Sequence, residues 1–155
     1  MSTVRVVVVD DSVSVRHALR SALGQEPNLE IVGEAADGQE GVDVCRTAQP
    51  DAVVLDVELP VMDGVHAIPH IQHAAPQATI AMLTSHPDNE QAAVAAGADA
   101  FFMKGVNSLE DVAHFLATAC DDDGTVAVDE EVVDLVERLT DYEVPVSESE
   151  APSPA

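Results

Sequence analysis

Short apolar runs alternate with stretches of helical spacing along most of the chain. Five runs rich in β-branched residues are almost continuously hydrophobic, which is typical of strands covered on both faces in a parallel sheet. Between the runs, apolar residues recur every three to four positions, as in amphipathic helices. The predicted strands are residues 4–9, 29–35, 52–55, 79–83 and 100–103, and the predicted helices are residues 13–23 and about 39–48, 65–75, 89–96 and 109–118.

Five successive strand–helix units predict one fold class. Right-handed crossovers lead to an α/β fold, an open doubly wound sheet with helices on both faces. We expect a five-stranded parallel sheet of order 2-1-3-4-5, flavodoxin-like, with Ser12 capping the first helix and Gly97 ending the fourth.

The composition changes after residue 120. Residues 121–150 hold 12 acids and one base, Arg138. We expect one domain over residues 1–120, an acidic linker with a sixth helix over 121–141, and a disordered acidic tail over 142–155. The apolar stripe of that helix should pack on the domain or across a homodimer; it consists of Val132, Val133, Val136 and Leu139.

Charge limits the possible partners. Asp and Glu number 29 against 6 Lys and Arg, which gives a net charge of −23. Such a surface repels nucleic acid and anionic lipid, and it suits solubility in a salt-rich cytoplasm. No apolar run reaches the roughly 20 residues of a membrane span. Without a signal peptide or a metal-binding cysteine spacing, we expect a cytoplasmic protein in which Cys45 and Cys120 are reduced and buried.

Polar side chains follow four of the five predicted strands. Ligands of open α/β sheets bind at the carboxyl ends of the strands, so these side chains should converge on one pocket. Helix capping could explain one strand-end aspartate, but it does not explain the whole set, which includes the chain's single lysine. The set is Asp10 and Asp11 after the first strand, Asp56 after the third, Thr84 after the fourth and Lys104 after the fifth.

The chemistry of these groups favours phosphoryl transfer. Three carboxylates at one point repel one another unless a proton or a cation compensates, and Mg²⁺ prefers carboxylate and phosphate oxygens. Lys104 and Thr84 could neutralise and hydrogen-bond a phosphoryl group. A carboxylate can itself form an aspartyl phosphate, and Asp56 is the central candidate.

These residues resemble the receiver domain of two-component response regulators. The resemblance covers residues 4 to about 119, and its combination of motifs is specific where each alone is weak. The matching stretches are VVVVDDS at 6–12, LDVELPVMDG at 55–64, MLTS at 82–85 and GADAFFMKG at 97–105.

The resemblance implies a set of site residues and partners. Asp56 would take a phosphoryl group from a histidine kinase in a Mg²⁺-dependent reaction. Asp11 would bind the metal directly and Asp10 largely through water, while Asp56 and the backbone carbonyl of Glu58 would supply further ligands.

The resemblance also implies how the signal would leave the site. Thr84 and Lys104 would hold the phosphoryl oxygens, and Phe101 would be an aromatic switch, although a plain core phenylalanine is the alternative. Phosphorylation would then change a binding face for a downstream effector that the sequence does not identify.

Two features depart from the usual pattern of the family. Gly105 stands where many receivers have a proline, so we expect a looser loop, and the Lys-Gly pair is similar to receivers that precede a helix-turn-helix domain. The chain looks like such a receiver with its linker and without the output domain.

The sequence does not decide the roles of several histidines and one acidic residue. Glu58 and His86 occupy positions that tune phosphoryl lifetime in the family, although His86 could equally be a solvated side chain. We interpret His66, His70 and His73 as a solvated stripe rather than a metal site, since no further ligand joins them.

Two alternatives to a phospho-acceptor remain. A metal-dependent phosphatase with an aspartyl intermediate would use Glu58 as its acid, but the acidic pair and the small size favour a receiver that is not an enzyme. The other alternative is a receiver-fold adaptor that works without phosphate.

Overall fold

The structure, a computed structural model, describes residues 3–119. They form a five-stranded parallel sheet of order β2-β1-β3-β4-β5, as predicted. The predicted sixth helix and tail lie outside the described residues. The strands are β1 (Val4–Val9), β2 (Leu29–Ala35), β3 (Ala52–Leu55), β4 (Thr79–Thr84) and β5 (Ala100–Met103), and the helices are α1 (Val13–Leu23), α2 (Gly38–Ala48), α3 (Gly64–Ala74), α4 (Glu90–Ala96) and α5 (Leu109–Ala119).

Capping residues fix where the helices begin and end. The Ser12 side chain accepts a hydrogen bond from the Val15 amide at the start of α1, as predicted. Gly97 ends α4 with φ = 117°, a conformation that favours glycine. A short 3₁₀ turn over Pro87–Asn89 precedes α4 and moves its first residue one position beyond the expected start.

The sheet separates two apolar layers. One layer packs under α1 and α5, and the other under α2, α3 and α4. Successive side chains of a strand point to opposite faces, so Val8 enters the first layer and Val9 the second. Burial on both faces is the physical reason why the strands are continuously hydrophobic. Among residues 3–119, no helix has the length and apolar character that a membrane span needs.

The strand register aligns the carboxyl ends of neighbouring strands, where the polar residues lie. Val9 of β1 pairs with Leu55 of β3, and the amide of Asp56 donates to the Val9 carbonyl at 3.0 Å. At the other side of the sheet, the amide of Lys104 donates to the Thr84 carbonyl at 2.8 Å. The residues that follow these strands therefore lie around a single edge of the sheet.

Cys45 of α2 lies in the second layer. It is a free, fully buried thiol, and burial raises its pKa to about 12. Its burial is as expected, and the raised pKa disfavours the thiolate at neutral pH. Cys120 lies outside the described residues.

Candidate functional site

Three carboxylates meet at the carboxyl edge of the sheet. Asp10 is 2% exposed and Asp56 5% exposed, whereas Asp11 is open to solvent. One carboxylate oxygen from each of the three can be grouped so that all lie within 4.8 Å of one another. The structure thus brings together three of the side chains that the sequence analysis selected from separate stretches of the chain.

Lys104, the residue that follows β5, contacts this cluster. Its Nζ donates to Asp10 Oδ2 at 2.9 Å and to Asp56 Oδ2 at 3.3 Å. Burial alone would lower the pKa of Lys104, but the bonds and charges of the two aspartates outweigh it and raise the pKa. The lysine therefore stays a cation beside the acceptor candidate.

Asp56 has an electrostatically unfavourable position. Burial and then the neighbouring charge of Asp10 raise its pKa, and Lys104 offsets only part of this. The Glu58 amide also donates to the Asp56 carboxylate. A cation bound beside this carboxylate would offset both the burial and the like charge of Asp10.

The loop that follows Asp56 is held by close backbone contacts. The amide of Gly64 donates to the Val57 carbonyl at 2.7 Å, and a Cβ at Gly64 would lie 2.0 Å from the Asp56 carbonyl oxygen. Glycine is therefore required at this position for the loop to pass close to the Asp56 backbone. Asp63 caps α3 by accepting from the His66 amide at 2.9 Å.

Thr84 lies at the same edge and is fully buried. Its Oγ1 accepts a hydrogen bond from the His86 amide at 3.3 Å. This contact keeps the hydroxyl in the turn after β4, at the strand end next to β3 and Asp56. The threonine therefore lies at the same edge of the sheet as the carboxylates and the lysine.

The donor set fits a hard divalent cation. Carboxylate oxygens that leave positions for water and phosphate are the ligands of Mg²⁺. One cavity of about 510 Å³ beside the cluster is lined by Asp11 and Glu58, together with Asp63 and Asn89. The open face of Asp11 thus gives solvent and ligand access to the buried carboxylates.

Comparisons with known proteins agree with this geometry. The family model "Response regulator receiver domain" matches residues 6–116. The chain belongs to the response regulator receiver domain family. A solved LuxR-family two-component response regulator from Aurantimonas sp. SI85-9A1 is 28% identical, with a TM-score of 0.72, over 88% of this chain and 97% of that one.

Two curated relatives carry the same receiver region in longer chains. A protein-glutamate methylesterase/protein-glutamine glutaminase of Pseudoalteromonas atlantica is 42% identical over 46% of this chain and 19% of its own length. The uncharacterized transcriptional regulatory protein YhcZ of Bacillus subtilis is 38% identical over 68% of this chain and 50% of its own. The chain thus spans half or less of the length of these relatives.

The aromatic position of the receiver lies inside the fold. Phe101 of β5 is 1% exposed and packs in the layer beneath α2, α3 and α4, while its neighbour Phe102 packs in the opposite layer. This burial agrees with a core phenylalanine and with an inward rotamer of a switch. The switch role therefore remains a prediction.

Contacts at the mouth of the receiver pocket could not be read from the sequence. His86 Nε2 and Glu58 Oε2 lie 3.0 Å apart, which joins the loop after β4 to the loop after β3. Both side chains are about half exposed. The stripe His66, His70 and His73 is exposed, as expected for solvated side chains.

The sequence analysis also missed Arg16, whose guanidinium reaches the backbone of the pocket. Its Nη1 donates a hydrogen bond to the Asp10 carbonyl. The available signal was the placement of an arginine one turn into the helix that follows the acidic pair, in a chain with few cations.

Proposed function

We propose that this receiver is a phospho-acceptor in a two-component phosphorelay, with Asp56 as the acceptor and a histidine kinase as the donor. The observation that carries the proposal is the contact of one lysine with two buried carboxylates, Asp10 and Asp56, beside a third, Asp11. An ordinary surface ion pair would not need two nearly buried acids. A receiver of this kind would not be an enzyme, and we propose that it acts in the cytoplasm.

The reaction is a nucleophilic displacement at phosphorus. A carboxylate oxygen of Asp56 would form the new bond to phosphorus, and the bond from phosphorus to the donor's imidazole nitrogen would break, so that the imidazole leaves with its electron pair. The product is an acyl phosphate on Asp56. Lys104 would then exchange its contact with Asp56 for the phosphoryl oxygens, and the Thr84 hydroxyl would donate to them.

The carboxylates supply the metal ligands. Asp11, Asp56 and the Glu58 carbonyl would hold Mg²⁺ directly, and Asp10 would hold it largely through water. When bound, Mg²⁺ neutralises charge on the transferring phosphoryl group. Before phosphorylation, Lys104 would offset the repulsion between Asp10 and Asp56.

The output would be a population shift. A phosphoryl group adds charge and acceptor oxygens beside Thr84 and Lys104, and only a partner that prefers this form can respond. Thr84 pairs with Met103 on β5, two strand positions beyond the pair of Met82 with Phe101. We propose that this pairing carries the change toward α4, β5 and α5, where an effector would bind.

Incubation with acetyl phosphate and Mg²⁺ tests the proposal. The full chain should gain about 80 Da, the mass of one phosphoryl group, and EDTA should prevent the gain. Asp56→Asn should not be modified, whereas Asp43→Asn, which changes an exposed acid on α2, should behave like the parent.

Two outcomes would count against a phospho-acceptor. Equal modification of the Asp56→Asn and Asp43→Asn chains would remove Asp56 from its assigned role. Sustained turnover of p-nitrophenyl phosphate by the unmodified chain would favour the phosphatase alternative.

A further inference from the structure

Arg16 links the edge strand of the sheet to the acidic pocket. Its side chain is 17% exposed, and its Nε donates to Glu34 Oε1 at 3.2 Å on β2. Its Nη1 donates to the backbone carbonyl of Asp10, the residue that directly follows β1. The guanidinium therefore joins the end of β1 to the end of β2, in addition to the Asp10 amide, which donates to the Ala35 carbonyl at 3.0 Å.

We propose that Arg16 is a positioning residue for the metal site, which holds the Asp10 backbone and thereby sets the affinity for Mg²⁺. This inference rests on the proposed function. Arg16 would not touch the metal or the phosphoryl group. It would act through Asp10, in the way that outer hydrogen-bond partners orient metal ligands.

The contacts of Asp10 show why its backbone position matters. Each of its three oxygens accepts a hydrogen bond: the carbonyl from Arg16, Oδ1 from the Ser12 amide at 2.9 Å, and Oδ2 from Lys104 at 2.9 Å. A cation that draws Asp10 into its coordination sphere would compete with Lys104 for the carboxylate. The contact from Arg16 does not compete, because it holds the backbone carbonyl and neither carboxylate oxygen.

Arg20 provides a matched control on the same helix. It also pairs with Glu34, through Nε at 3.0 Å and through Nη2, but its side chain is 51% exposed. Both arginines thus share one carboxylate and one helix face. Arg16 differs by its burial and by its bond to Asp10, so a comparison of the two separates these properties from the ion pair with Glu34 that both arginines make.

The test compares the full chain with Arg16→Ala, Arg16→Lys and Arg20→Ala. Calorimetric titration with Mg²⁺ alone, in 1 M KCl to screen general attraction to the acidic surface, gives the affinity. We expect Arg16→Ala to bind Mg²⁺ about tenfold more weakly than the parent. Arg16→Lys keeps the charge and loses the two-armed contact, so its binding should be about threefold weaker. The affinity of Arg20→Ala should change by less than about twofold.

A second measurement needs no metal. Loss of the Arg16 contact should loosen the turn after β1, so the Ser12 amide should exchange its hydrogen faster in Mg²⁺-free Arg16→Ala than in Arg20→Ala. In the phosphorylation reaction, saturating Mg²⁺ should restore the rate of Arg16→Ala. A general loss of structure would instead lower that rate at every Mg²⁺ concentration.

The outcomes separate this inference from the proposed function. If the parent binds Mg²⁺ and is phosphorylated, but both Arg16 variants bind Mg²⁺ like Arg20→Ala, the positioning role is wrong and the proposed function stands. If the parent itself does not bind Mg²⁺, both fail. Should Arg16→Ala not fold, Arg16→Lys decides, and a parent-like affinity in that variant overturns the role.

Discussion

Replacing Gly64 by alanine should perturb the acceptor residue through its backbone. A Cβ at this position would lie 2.0 Å from the Asp56 carbonyl oxygen and 2.9 Å from the Val57 Cα. Both neighbours are backbone atoms, so no side-chain rotation can relieve the contact. The loop after β3, or the start of α3, must move instead.

The size of the effect follows from that distance. Real Cβ atoms essentially never approach closer than 3.0 Å, so the backbone must move by about 1 Å. Overpacking of this kind costs about 1–3 kcal/mol, and weakening the 2.7 Å bond from the Gly64 amide to the Val57 carbonyl adds about 1 kcal/mol. We expect a loss of about 3 kcal/mol in the free energy of unfolding.

Urea unfolding of the Mg²⁺-free chain measures this loss, and phosphorylation by acetyl phosphate measures its effect on Asp56. Gly105→Ala is the control, because nothing lies within 4 Å of its Cβ and only its φ of 84° opposes a side chain. It should lose about 1 kcal/mol and keep its phosphorylation rate. The reasoning is refuted if Gly64→Ala unfolds within 1 kcal/mol of the parent and is phosphorylated at the same rate.

Two further substitutions test the electrostatics and the backbone of the pocket. Asp56→Asn should raise the melting temperature of the Mg²⁺-free protein at pH 7, since burial and the charge of Asp10 raise the pKa of Asp56. The gain should shrink as the pH falls through that raised pKa and be lost below about pH 4, where the carboxyl is protonated in both the folded and the unfolded chain. An unchanged or lower melting temperature at pH 7 would contradict this prediction. Val61→Gly should stabilise the chain by about 1 kcal/mol in urea unfolding, because Val61 has φ = 72° and is 80% exposed. A loss of stability in that variant would show that the exposed valine makes a contact that outweighs its backbone strain.

The sequence predicted the elements well because both faces of the sheet are buried. Continuous apolar runs located β1, β2, β3 and β5 to the residue, and the capping residue Ser12 located the start of α1. The sheet order was expected as a common order of doubly wound folds, and the structure has it. Since parallel strands share one carboxyl edge, the convergence of Asp10, Asp56 and Lys104 was predictable too.

Other features needed the three-dimensional structure. The contact of Glu58 with His86 and the bond from Arg16 to Asp10 depend on side-chain directions across separate loops, which periodicity does not encode. The left-handed backbone of Val61 has no sequence signal, because β-branched residues rarely adopt it. The hydrophobic pattern also gives no sign of the register shift of β1 against β2 between Val6 and Val7.

Site mapping of the covalent phosphate tests the central claim most directly. After incubation with acetyl phosphate and Mg²⁺, sodium borohydride reduces an aspartyl phosphate to homoserine, and tandem mass spectrometry of the digested chain locates the converted residue. The account predicts homoserine at position 56 and at no other aspartate of the pocket. Conversion at Asp10 or Asp11, or no conversion in a chain that binds Mg²⁺, would contradict it.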